Sequence, residues 1–61
     1  ALHQSVRGED ALRFTDPRNI TYILVVNDAM EEIGRLSESC LLDGIARLGV
    51  GATLRAILLL H

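Results

Sequence analysis

Apolar residues recur along this chain with two different periods. Between Asp28 and Leu48 the apolar positions Met30, Ile33, Leu36, Cys40, Leu41, Ile45 and Leu48 fall mostly three or four apart. Glu31, Glu32, Arg35, Glu38, Ser39 and Asp43 lie between them. That spacing predicts one long amphipathic helix over 28–48. Asp28 followed three residues later by Glu31 resembles a capping box. Glu31 with Arg35, and Asp43 with Arg47, have the acid-before-base spacing of four that supports a helix. Gly34 and Gly44 would weaken it, yet would let another backbone come close. Gly49-Val50-Gly51 is its stop.

Ile20 to Val26 reads differently. It is rich in β-branched residues and tyrosine, and both alternate faces are largely apolar. This predicts a strand covered on both sides. The rival is a short buried helix begun at Asp16-Pro17. Asp16-Pro17-Arg18-Asn19 is itself a turn or a helix start. Upstream, Ala11, Arg13 and Thr15 alternate with Leu12 and Phe14 and could form one short edge strand. Ala1 to Glu9 shows no period and reads as an arm. The tail from Ala52 to Leu60 is almost wholly apolar. Leu and Ala outnumber β-branched residues in it, which favours a helix over a second strand.

The fold class that follows is α+β: one short strand, a long amphipathic helix and a second apolar helix, completed by oligomerisation. The alternatives are a strand–helix–strand α/β unit and an all-α arrangement. The organisation is an arm and turn over 1–19 and an interaction module over 20–61.

Composition sharpens the case for association. Sixty-one residues make one small domain, and 49% of them are hydrophobic. A domain this small buries only about 60% of its unfolded surface and needs a staple. Cys40 is the only cysteine, so an internal disulfide is excluded. Cys40, His3 and His61 lack the spacing of a zinc site. Oligomerisation is the staple that remains. Phe14 and Tyr22 are the only aromatic residues, so the core must be aliphatic. The interface expected from the apolar stripe and tail comprises Ile33, Leu36, Cys40, Ile45, Leu54, Ile57 and Leu58.

Charge and candidate chemistry add little. The formal net charge is −2, and all six basic residues are Arg. An acidic balance disfavours nucleic acid as the main partner. Leu48 to Leu60 is too short to span a bilayer and contains Arg55. No signal peptide is evident, and a lone free cysteine fits a reducing, cytoplasmic setting. A start at Ala1 suggests a processed terminus, a removed tag or an excised fragment. Cys40 lies on the apolar stripe with no histidine in helical reach, as a small core residue would. His3 reads as a solvated arm residue and His61 as a chain-end residue. Glu31, Glu32, Glu38 and Asp43 form a solvated face. Gly44, Gly49 and Gly51 lack the Lys-Ser or Lys-Thr of a phosphate loop. No cofactor, metal or small-molecule substrate is inferred, and a catalytic role is not expected.

Strand, long helix, glycine turn and second helix, from Ile20 to Leu60, resemble the element order of ribbon-helix-helix DNA-binding dimers. The resemblance implies a strand face reading the major groove, here Thr21, Ile23 and Val25, with Arg18 and Asn19 at its entrance. Three function classes therefore stand. The first is a non-catalytic homodimer or small subunit of a larger assembly. The second is a small DNA-binding regulator with Arg7, Arg13 and Arg18 on phosphates. The third is a fragment or subunit of an α/β enzyme whose catalytic residues lie elsewhere.

Overall fold

The structure is a computed structural model and describes residues 1–16, 18 and 22–60. It is α+β: a small mixed sheet with helices packed on one face. The elements are β1 (Leu2–His3), α1 (Gly8–Ala11) running into a 3-10 turn (Leu12–Phe14), β2 (Tyr22–Val26), β3 (Glu32–Ser37), α2 (Glu38–Leu48) and α3 (Leu54–Leu59). The sheet order is β1-β2-β3. β1 runs parallel to β2, with Leu2 beside Val25 and His3 beside Val26. β3 is antiparallel to β2, with Tyr22 beside Ser37, Ile23 beside Leu36 and Val25 beside Gly34.

The expected helix over 28–48 is the main correction. Nearly its first half is the turn and second strand of a β-hairpin, and the helix starts only at Glu38. Asn27 decides this locally. Its side-chain carbonyl accepts from the N–H groups of Ala29 and Glu31, both at 3.0 Å. Its backbone N–H donates to the Glu31 carbonyl at 3.0 Å, closing the turn. Met30 takes a left-handed φ of 62° there, a conformation that costs a residue with a Cβ. Beyond the turn, Gly34 and Leu36 point inward while Arg35 and Ser37 point outward. Ile33 is the extra residue of a bulge, because Val25 pairs with Gly34 and Val26 with Glu32. β2 needed a strand partner along this edge, and the tertiary pairing outweighs the three-four spacing.

Ser37 then caps α2. Its hydroxyl accepts from the Cys40 N–H at 3.2 Å. Glu38 supports the positive end of the dipole, and Arg47 lies in the last turn. The expected Asp43–Arg47 pair forms at 3.1 Å. Arg35 pairs with Glu32 at 2.9 Å, instead of with Glu31. Gly49 ends α2 at φ 101°, where its N–H meets the Ile45 carbonyl at 2.8 Å. The tail is helical, as its composition predicts. Thr53 caps α3 by accepting from the Ala56 N–H at 3.3 Å.

The core is aliphatic: Ala11, Ile23, Val25, Leu36, Leu41, Leu54 and Ile57 are buried together. α3 seats on small residues. A Cβ on Gly44 would lie 2.6 Å from Ile57 Cγ2, so only glycine lets α2 and α3 approach this closely. A Cβ on Gly34 would meet Leu58 Cδ2 at 2.7 Å.

The amino-terminal stretch is built into the fold. Gly8 N–H donates to the Ala52 carbonyl, Leu54 N–H to Val6 and Arg55 N–H to Gln4, at 2.7–3.0 Å. These bonds satisfy donors at the starts of α1 and α3 that have no partner within their helices. Leu2, Val6 and Leu12 pack against the core. The alternation over 11–15 is therefore helix and 3-10 turn, not an edge strand. Asp16 Oδ1 accepts the Arg18 N–H at 2.9 Å, a turn contact at the expected punctuation. Pro17, Asn19, Ile20 and Thr21, and His61, lie outside the described residues.

Candidate association surface

The face of the sheet away from the helices carries Tyr22, Leu24, Ile33 and Arg35, all exposed. At the amino-terminal end of β2 this face meets an open groove of about 410 Å³. Its walls are Ala1, Leu2, Phe14, Tyr22, Ile23 and Leu24. None of these side chains is charged. Phe14 is 63% exposed and Tyr22 60%. The only two aromatic rings in the chain thus sit outside its core and beside each other's groove.

The strand ladder explains why the groove exists. β1 is two residues long and covers only Val25 and Val26 of β2. Gln4 N–H donates to the Val26 carbonyl at 2.8 Å, so Val26 turns its polar groups toward β1. Backbone groups alternate sides along a strand, so Leu24 and Tyr22 turn theirs the same way. Beyond the end of β1, no strand lies beside Tyr22 among the described residues.

The residues expected to form the interface divide sharply. Leu36, Leu54 and Ile57 are buried in the chain's own core. Cys40 and Leu58 are half-buried against it, and Ile45 is half-buried. Ile33 alone is exposed, on the open sheet face. These seven do not form one surface. The signal for Phe14 and Tyr22 was present in the composition: a core that needs only Leu, Ile and Val leaves aromatic rings to the outside.

The arginines do not converge either. Arg7 lies 3.9 Å from Glu9, and Arg18 3.6 Å from Asp16. Arg13 is exposed on the 3-10 turn. Of the strand face that the ribbon-helix-helix resemblance would present to DNA, Ile23 and Val25 are buried under the helices. A second strand and a hairpin turn also intervene before the first long helix.

One polar constellation was not visible in the sequence. His3 Nδ1 lies 2.7 Å from Ser5 Oγ, and His3 Nε2 lies 2.6 Å from Asp28 Oδ1. Nδ1 also accepts the Ser5 N–H at 3.1 Å, so in the neutral ring the proton sits on Nε2 and is donated to Asp28. Hydroxyl, imidazole and carboxylate are in a relay order. Acyl chemistry would also need free N–H groups for a developing oxyanion. The N–H groups of Ser5 and Val6 are engaged, by His3 Nδ1 and the His3 carbonyl. Asp28 is 89% exposed, where water weakens its hold on the ring. The constellation is a strut from β1 to the hairpin turn.

Across the sheet, the Glu32 carboxylate raises the pKa of Arg35 above its ordinary value, first through their hydrogen bond and then through its charge. No cluster of three or more His, Cys, Asp or Glu suited to a metal occurs among the described residues. No helix among them is long and apolar enough to cross a membrane. Comparison with protein-family models, curated proteins and solved structures returns no match to this chain.

Proposed function

We propose that this chain is a non-catalytic association module, acting as a homodimer or as a small subunit of a larger assembly. One observation carries the reading. Phe14 and Tyr22 are both exposed around one groove with no charged side chain, where no strand lies beside the start of β2 among the described residues. Exposed apolar patches of this kind mark interaction surfaces. The size of the groove falls in the range of small-molecule pockets, about 300–1,000 Å³. It is open, however, and the described residues that line it offer no charged side chain to orient a small ligand. A protein surface suits it better. A reducing compartment such as the cytoplasm suits the lone thiol of Cys40.

Sedimentation equilibrium at micromolar concentration and above tests this reading. The parent chain should report a reversible dimer. Phe14→Ser with Tyr22→Ser should shift it toward monomer while circular dichroism stays unchanged. A parent that is monomeric at every concentration would overturn the homodimer. A parent dimer untouched by the double substitution would move the interface away from the groove.

A further inference from the structure

We propose that His3 is a proton-operated latch: neutral, its ring holds the turn that follows β1, and protonated, it releases that turn and grips the hairpin turn through Asp28. The device stands apart from the association reading and does not depend on it.

The neutral ring makes contacts that a charged ring cannot keep. Nδ1 faces two groups of Ser5, the N–H at 3.1 Å and the hydroxyl at 2.7 Å. A backbone N–H can only donate, so Nδ1 offers its lone pair. Nε2 carries the proton and donates it to Asp28 Oδ1 at 2.6 Å. Histidinium, in contrast, is a donor at both nitrogens. The Ser5 hydroxyl can rotate and accept from the new Nδ1–H, because it is donor and acceptor alike. The Ser5 N–H has no such freedom, and two donors then face each other. That bond is lost on protonation, and the amide turns to water. At Nε2 the opposite happens. The donor to the carboxylate gains a positive charge, and the bond strengthens.

The two ends of the ring serve different parts of the fold. Ser5 lies in a turn closed by the Val6 N–H on the His3 carbonyl at 3.0 Å. The carbonyls of Gln4 and Val6, on either side of Ser5, receive the N–H groups of Arg55 and Leu54 at the start of α3. Asp28 belongs to the hairpin turn, just past Val26, the residue beside His3 in the sheet. A proton therefore moves the ring's hold from the turn that receives α3 to the hairpin.

Asp28 governs the charged state. Among the described residues it is the charged side chain in contact with the ring. Glu32 faces His3 across Val26 from the third strand, about 10 Å away by strand spacing, and is bonded to Arg35 at 2.9 Å. Glu31 shares the hairpin turn, and the Ala1 amino group stands two residues before the ring. Of the side-chain types in the cluster, only imidazole ordinarily changes charge between about pH 5 and 8.

Two neighbouring amides read the latch in opposite directions. NMR on the full chain compares about pH 8 with about pH 5. At the higher pH, ring nitrogen shifts should place the proton on Nε2. At the lower pH, the temperature coefficient of the Ser5 amide proton should change from that of a hydrogen-bonded group to that of a solvated one. The Gln4 N–H, which donates to the Val26 carbonyl at 2.8 Å, should gain protection about two- to fivefold, the size of an exposed ion pair. Asp28→Asn keeps an acceptor for Nε2 without the charge. It should abolish the Gln4 gain and leave the Ser5 loss. A neutral ring protonated at Nδ1, or a Ser5 amide that stays hydrogen-bonded to a charged ring, would overturn the latch. So would a Gln4 amide indifferent to pH, a loss of protection at both amides, or a Gln4 gain that survives Asp28→Asn.

Discussion

The outer edge of β3 and the uncovered start of β2 are built in opposite ways. The outer edge of β3 carries Glu32 and Arg35, hydrogen-bonded to each other at 2.9 Å, and a bulge at Ile33. Charges and bulges on an edge discourage another strand from adding to it. The amino-terminal edge of β2 has neither. It presents Tyr22 and Leu24 beside Phe14, with no charged side chain lining the groove. One edge is protected and one is available. A sheet with two available edges can grow without limit, whereas one protected edge limits strand addition to the other.

The largest effect comes from removing the platform on which both edges rest. Leu36 is buried on β3 directly beside Ile23 of β2. Leu36→Ala should cost about 2–5 kcal/mol, the loss of apolar burial plus a residual cavity. Small domains hold little reserve, so chemical denaturation should show most of the cooperative transition gone. A cooperative transition at the parent's midpoint would mean that Leu36 is not core.

Next comes the helix layer behind the sheet. Gly44→Ala places a Cβ 2.6 Å from Ile57 Cγ2, near the stiff base of a β-branched side chain. Overpacking of this kind costs about 1–3 kcal/mol. Gly34→Ala meets only the far end of Leu58, at 2.7 Å, which can swing aside. Thermal melts should rank Gly44→Ala clearly below Gly34→Ala. The reverse order would show that β3, not α2, is the tightly packed neighbour of α3.

The edge contrast itself can be erased. Glu32→Thr with Arg35→Val leaves the fold intact but strips β3 of its charges. Stability should change by no more than about 0.5 kcal/mol beyond a small gain in strand preference. Assembly should change much more. With both edges available, light scattering should show species larger than a dimer, growing with concentration. If the double variant stays at the parent's mass, the bulge and the twist of β3 protect that edge without the charges.

Much of this fold was legible in the sequence, and the misreadings have physical causes. The strand at Tyr22–Val26, the stop at Gly49, the apolar last helix and the aliphatic core all follow from local chemistry. The helix over 28–48 did not survive, because Asn27-Asp28 serves a turn as well as a helix start. Ile33 and Leu36 are three apart, which satisfies a helix. Gly34 adds no side chain to the strand's inner face, and the bulge at Ile33 breaks its alternation. The two N-caps at Ser37 and Thr53 carry the usual residue types, but the long stripe masked the first. The role of the amino-terminal stretch was out of reach. Its bonds run from Gln4, Val6 and Gly8 to residues 52–55, 44 to 51 positions away, and no local period records them. The groove follows from that same long-range pairing, since it lies where β1 ends.

The smallest effect should come from His3, whose position makes it the most informative about the groove. His3 ties β1 to the hairpin turn through Asp28 at 2.6 Å and braces Ser5 at 2.7 Å. Both contacts are solvent-exposed, so His3→Ala should cost no more than about 1 kcal/mol in global stability. Locally it should fray β1, because two residues are a short ladder to hold unaided. The Gln4 N–H, which donates to the Val26 carbonyl at 2.8 Å, should then exchange faster, while the amide of Val25, paired toward β3, keeps its protection. Fraying β1 would also bare more of the available edge and leave the β3 edge as it was. Hydrogen exchange by NMR reads both amides in one experiment. Equal acceleration at Gln4 and Val25 would mean that β1 and the hairpin open as one unit, and that the two edges are not independent.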